Sequence, residues 1–238
     1  MEGNYRARFR PVQSLSLKER ASMSRLYMKY YENADEAAFQ RDLDAKTEVE
    51  MLHWGGELVG FSALLLYEAE WQGQVVRIAY SGDTIVHRDH WGQQALPAAW
   101  LRRAASIHGS APEVPFYWFL LVKGHRTYRF MPLFTEHYHP APGNDGGNLK
   151  GLADKLAGDK FGGDYNTKSG VVEFPRSQGN LREEVAHPTE RERRNPAVRF
   201  FLERNPGYLR GHELVCLCRI ASENLRPFAR RIFERGAV

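Results

Sequence analysis

The sequence predicts an α/β (α+β) protein: a mixed, mostly antiparallel sheet with helices on both faces. Three observations predict it. Two long apolar, β-branched runs are joined by short glycine turns, the pattern of an antiparallel meander. A strand-like run ending at Val86 passes through a short polar loop into a helical run with Pro97 near its start. Helical spacing of apolar residues precedes and follows this block.

The first helix is expected at about residues 17–31. Ser16 and Glu19 have capping-box spacing, and Leu26, Tyr27, Tyr30 and Tyr31 form an aromatic face suited to core packing or a ligand wall. A second helix is expected at 35–46, capped by Asn33 or Asp35, with Ala37, Ala38 and Phe39 inward. Strands follow at 49–53, 58–67 and 75–86, with turns at Gly55-Gly56 and Gln72-Gly73-Gln74. Gly82 lies inside the last of these strands, where glycine marks a bulge or a close backbone approach. A helix at 93–108, a buried strand at 114–122 and a helix at 126–137 complete the block. Pro132 sits inside that last helix.

Beyond Pro140 the texture changes. Residues 140–170 are rich in glycine around a short amphipathic piece at 149–156, which suggests a surface insertion or mobile lid. Residues 182–194 are dense in charge and read as a solvated face. Residues 200–202 and 213–220 read as closing strands around Asn205-Pro206-Gly207, and a basic helix is expected at 223–235. The 238 residues are taken as a single domain: a core at about 15–138, an insertion at about 140–195, and closing strands plus the basic helix at 196–238.

Composition excludes several classes. Apolar residues at 42% and charged residues at 26% rule out wholesale disorder. A net charge of +4 is too small to argue for nucleic-acid binding, but it favours anionic ligands or an acidic partner. Cys216 and Cys218, two apart in a strand-like run, point the same way and read as reduced core thiols rather than a disulfide framework. With no secretory leader pattern at residues 1–11 and no apolar run of membrane-spanning length, the expectation is a soluble, cytoplasmic protein.

Several motifs fail on inspection. Residues 162–169 imitate a phosphate loop, but Thr167 stands where the second glycine belongs. His87/His90 and His137/His139 lack metal-ligand spacing, so no metal is expected. No Gly-x-Ser-x-Gly elbow is present.

The most informative segment runs from Thr84 to Leu96. A strand ends, a polar loop follows, and the N–H groups at the start of a helix are free to hold a phosphate. This run resembles motif A of the Gcn5-related N-acetyltransferase (GNAT) superfamily. Val86 matches the strand-end valine. Trp91, Gly92, Gln93, Gln94, Ala95 and Leu96 stand where the family has Arg-Gly-Gln-Gly-x-Gly; only Gly92 and Gln93 match, and Trp91, Gln94 and Leu96 depart from it. The order of elements over about 15–138 also matches. A weaker resemblance extends to GNAT-like acyl-homoserine lactone and N-acyl amino acid synthases.

The resemblance implies an N-acyltransferase that moves an acyl group from a thioester donor, acyl-CoA or acyl-phosphopantetheine, to an amine acceptor. It implies a sheet splayed near Val86 and Val122, a thioester carbonyl held by backbone at Ile85, Val86 and His87, and phosphates held by Trp91, Gly92, Gln93, Gln94 and Ala95. The missing glycines favour acyl carrier protein or a longer acyl-CoA over acetyl-CoA, with Arg226, Arg230, Arg231, Arg235 and the 191–194 run as a docking surface. Core packing is the first reading of Tyr27, Tyr30, Tyr31, Phe116 and Trp118, and the wall of a tunnel for a longer chain is the alternative. Asp83, ionisable inside an apolar strand, is the first choice of base, with Glu68 and Glu136 as rivals and an ion pair with Arg77 or another cation as its alternative role. The resemblance offers Tyr128 or Tyr138 as the acid. Two other readings are a non-catalytic module of this fold that binds acyl-CoA, carrier or nucleotide, and an adaptor using the basic C-terminal helix.

Overall fold

The computed structural model describes residues 4–144, 147–175 and 178–236. The first part of the chain forms β1 (Tyr5–Pro11), α1 (Leu17–Tyr30), β2 (Tyr31–Glu32), α2 (Glu36–Asp44), β3 (Glu48–Trp54), β4 (Glu57–Trp71) and β5 (Gln74–Val86). Then come α3 (Ala95–Gly109), β6 (Phe116–Val122), α4 (His125–Tyr128), α5 (Phe130–Phe134), β7 (Tyr138–His139) and α6 (Gly147–Phe161). The remainder holds β8 (Tyr165–Asn166), β9 (Val171–Val172), β10 (Asn180–Leu181), α7 (Glu183–Ala186), α8 (Glu190–Arg193), α9 (Pro196–Arg204), β11 (Glu213–Arg219) and α10 (Pro227–Gly236).

The main sheet has the order β1-β3-β4-β5-β6-β11-β9-β8, with β7 also on β11. The described pairings are antiparallel except β5 with β6, which is parallel. This is the mixed, mostly antiparallel sheet that the meander pattern predicts. The helices cover both faces. On the inner face, α1 and α2 bury Met23, Leu26, Phe39 and Leu43 against Met51 and Phe61. Beside them, α6 buries Leu152 and Leu156 against Ile78, Phe119 and Leu217. On the outer face, α3 and α10 bury Leu101, Ala104 and Phe233 against Leu64, Ala79 and Leu120.

Local chemistry explains the helix starts. Ser16 and Glu19 form the expected capping box. Asp35, rather than Asn33, caps α2 through Ala37 N–H at 2.7 Å.

Four expectations are corrected. The helix expected at 126–137 is two short helices, because the Pro132 ring would clash with the carbonyl four residues back at Tyr128 in one continuous helix. The expected lid is α6, a core layer whose Leu152 is 1% exposed. Residues 200–202 belong to a helix, α9, started by an Asn195 side chain on Ala197 N–H and by Pro196 at the first position. The charged 182–194 stretch is not wholly solvated: Val185 and Ala186 are buried. The strand β1, whose apolar Tyr5, Ala7 and Phe9 alternate with Arg6, Arg8 and Arg10, was not expected at all. Cys216 and Cys218 are buried, free thiols in β11, and burial pushes the Cys218 thiol up to about 12.

Candidate active site

The site begins with a fault in β5. Its parallel pairing to β6 runs from Arg77↔Phe116 to Ser81↔Leu120 and stops, although β5 continues to Val86 and β6 to Val122. The fault coincides with a bulge. On the β4 side, Leu64 faces Ser81 and Ser62 faces Thr84, so Gly82 and Asp83 together oppose Ala63. The extra residue reverses the facing of the strand. Before it, Val76, Ile78 and Tyr80 point to the inner face; after it, Ile85 does. Asp83 therefore shares the inner face with Tyr80, which two-residue alternation alone would not permit. A Cβ at Gly82 would come within 2.9 Å of Lys46 Cε, so a larger residue there would displace the end of the lysine side chain.

A cavity of about 1040 Å³ opens at this fault. At its inner end lie Asp83, Lys123 and Glu213 with Tyr27, Tyr31 and Tyr80. Lys123 Nζ sits 3.1 Å from Glu213 Oε1, both nearly buried, and 5.2 Å from the centre of the Tyr31 ring. Asp83 is half-buried, and burial pushes its carboxyl up to about 6, with Lys123 opposing and Asp42 adding to the rise. Lys123 stays charged: burial works against it, but Glu213 and the nearby phenols raise it above the usual lysine range. Burial raises the phenols of Tyr27 and Tyr31, so both remain protonated. The inner end thus offers one carboxylate poised near neutrality, a fixed ion pair and hydroxyl donors.

The outer mouth is built by the β5–α3 loop. Trp91 donates its indole N–H to Val86 O at 2.8 Å, and the Arg126 guanidinium lies over the Trp91 ring at 4.1 Å. Arg126 is held in turn by Glu192 at 3.0 Å and by Val185 O. Gly92 has φ of +85°, a conformation that disfavours any side chain. Among the described residues, the N–H groups of Gly92, Gln93 and Gln94 have no acceptor within the protein. His87 N–H donates to Val59 O at 2.7 Å. Antiparallel alternation then ties Ile85 to Phe61 and turns the N–H groups of Thr84 and Val86 away from β4, into the gap beside β6.

The structure brings Asp83, Ile85, Val86, Trp91, Gly92, Gln93, Gln94 and Tyr138 to the cavity wall. His87 and Ala95 are not on that wall; His87 lies against Lys29, and Ala95 packs by Leu52 and Val59. Tyr128 is corrected more sharply. It is fully buried, stacks on Phe200 and donates its hydroxyl to Pro140 O at 2.7 Å. Arg77 does not pair with Asp83; it donates to Ile107 O and Ser110 Oγ at the other end of the strand. Neither Glu68 nor Glu136 reaches the cavity, and Glu136 pairs with Arg226. Of the expected tunnel aromatics, Tyr27, Tyr30 and Tyr31 line the cavity; Phe116 and Trp118 do not. Sequence reasoning missed Lys123, Glu213, His125 and Arg129. The first two are polar residues at the ends of apolar strands, a signal available in the sequence; their pairing, across distant segments, was not.

Among the described residues, no group of three or more His, Cys, Asp or Glu is placed to hold a metal, and no helix is long and apolar enough to cross a membrane.

No family model and no curated protein matches this chain. Solved structures do. A probable N-acyltransferase from Enterococcus faecalis is 12% identical with a TM-score of 0.42, over 57% of this chain and 33% of that one. A GCN5-related N-acetyltransferase from Kribbella flavida is 15% identical with a TM-score of 0.41, over 58% and 35%. The chain therefore spans about a third of the length of these two. A GNAT family N-acetyltransferase from Escherichia coli, solved in complex with CoA, is 15% identical with a TM-score of 0.40, over 61% and 81%. These three likenesses are at low identity and cover 57–61% of this chain.

Proposed function

We propose that the protein is a GNAT-like N-acyltransferase that moves an acyl group from a thioester donor, acyl-CoA or acyl-phosphopantetheine, to an amine. One observation carries the reading: the β5–β6 gap, with Val86 N–H turned into it, joins a loop of free N–H groups on one side to a half-buried carboxylate on the other. Acyl transfer needs those three functions together. The donor's phosphates would take the N–H groups of Gly92, Gln93 and Gln94, with Arg129 at the mouth. Val86 N–H would hold the thioester oxygen as it becomes an oxyanion. Asp83, pushed up to about 6, would accept the amine proton. Tyr27 or Tyr31 is better placed than Tyr128 to donate hydrogen bonds beside Asp83, and Tyr138 remains a phenol on the wall.

The cavity's volume of about 1040 Å³ and its aromatic wall favour a donor chain longer than acetyl. The docking surface for a carrier is thinner than the sequence suggests. Arg226 is paired with Glu136, and Arg230 donates to Ser222 O. The test is a thermal-shift series with acetyl-CoA, a medium-chain acyl-CoA and acylated carrier protein, followed by mass-spectrometric detection of acylated amines. Stabilisation by a donor with product formed supports the reading. Stabilisation without product on a broad amine panel favours the non-catalytic module. No response to any donor removes both.

A further inference from the structure

A second, smaller cavity lies under the outer face of the same fault. It measures about 30 Å³ and is walled by Glu50, Ser62, Ser81, Thr84, Trp100 and Trp118. Strand register explains why polar groups meet here. Glu50 of β3 faces Ser62 of β4, and Ser62 faces Thr84 of β5, so the three side chains form one row across the sheet. Ser62 Oγ and Thr84 Oγ1 are 2.8 Å apart. Glu50 is 2% exposed. Its Oε1 and the Trp100 Nε1 are both buried with no hydrogen-bond partner. Two orphaned polar atoms in a space of this size are the setting in which proteins hold an ordered water. The small cavity shares Thr84, Leu96, Pro97, Thr127 and Phe130 with the large one, so the row ends at the β5–β6 gap.

We propose that this cavity holds one water, and that Glu50, as a neutral carboxylic acid, is a proton donor wired through that water, Ser62 and Thr84 to the donor side of the gap. The step rests on the acyltransferase reading. When the tetrahedral intermediate collapses, the C–S bond breaks and its electron pair goes to sulfur. Thr84 Oγ1 gives its proton to that sulfur and is reprotonated by Ser62. Ser62 is reprotonated through the water by Glu50, which becomes a carboxylate and regains a proton from solvent. The amine's proton leaves separately, through Asp83 on the inner face. The charged groups around Glu50 are Arg102 and Arg103 of α3 and Glu48 on its own strand, and Arg103 is occupied by Glu48 at 2.8 Å. Burial outweighs Arg102 and holds Glu50 protonated well above the usual carboxylate range.

Infrared spectroscopy of the protein alone tests the first half. A protonated-carboxyl stretch should be present at neutral pH, shift in heavy water, and vanish in Glu50→Gln. Its absence overturns the proposal whatever the enzyme does. For the second half, free CoA should shift that band in the wild type and leave it unmoved in Thr84→Val. Turnover of Glu50→Gln should fall by about 10²-fold with donor KM unchanged, and the loss of rate at high pH should disappear from its profile. A Gln variant with wild-type turnover and pH profile also overturns the proposal. If Glu50→Gln does not fold, Ser62→Ala should keep the band and lose the CoA-induced shift; a shift retained there counts against the relay. A band that is present in a protein that binds no CoA supports the buried acid and tells instead against the acyltransferase reading.

Discussion

The two faces of one strand differ in kind. On the inner face of β5, Asp83 looks toward a lysine, a second carboxylate and three phenols. On the outer face, the neighbouring Thr84 looks toward a serine hydroxyl and a carboxyl held neutral. Charge meets Asp83 directly on one side of the backbone; on the other, hydroxyls stand next to Thr84, and the charged Arg102, Arg103 and Glu48 lie only at the far end of the row, around Glu50. A base needs the first environment and a neutral proton donor needs the second, because each requires a different protonation state at the same pH.

Asp83→Asn breaks the comparison most. Turnover should drop by roughly 10²–10⁴ with donor affinity retained, as kinetics and donor titration will report. Wild-type turnover should rise with pH through about 6, as Asp83 ionises, and the variant should lack that limb. Stability moves the other way. The folded carboxyl holds its proton to a higher pH than the unfolded one, so between the usual aspartate range and about 6 the native state binds more protons and stability falls as pH rises. Denaturant titrations across this window should show the fall in the wild type and not in the variant.

Lys123→Met comes next. It leaves Glu213 buried without its partner and should cost about 3–5 kcal/mol, measured by urea unfolding. Adding Glu213→Gln should restore much of that. A third substitution, Gly92→Val, forces a β-branched residue to positive φ. A Cβ there meets nothing within 4 Å, so the cost, about 1–2 kcal/mol, is in the backbone, with weaker donor binding as the loop's N–H groups reorient. The smallest effect belongs to the outer face. Ser62→Ala removes one hydroxyl pair and should cost about 1 kcal/mol of stability, by an amount that does not change with pH between 5 and 8. A pH-dependent loss there would erase the distinction between the faces.

Legibility followed the range of the interactions. The meander, the capped helices and the β5–α3 turn depend on neighbours in sequence, and their residues declare them. The bulge was legible because glycine inside an apolar run has few other uses. Asp83 stood out for a related reason, as a carboxylate among apolar residues. α9 was misread from three apolar residues, although Asn195-Pro196 ahead of them was a helix start in plain view. β1 was missed because its arginines mask a regular alternation. The Lys123–Glu213 pair and the Glu50–Ser62–Thr84 row were out of reach for another reason. They exist only through strand order and register, which no local pattern encodes.

The bulge at Gly82 and Asp83 has a further consequence for how this molecule can change. The strand carries one residue more than its β4 partner at this point, and the bulge absorbs it. Deleting Gly82 would remove no functional group and would leave Asp83 alone opposite Ala63, with Thr84 and Ile85 on their present faces. What it would remove is the bulge that coincides with the end of the β5–β6 pairing, so a single-codon deletion here acts on the gap itself, while substitutions at the same place change only what lines it.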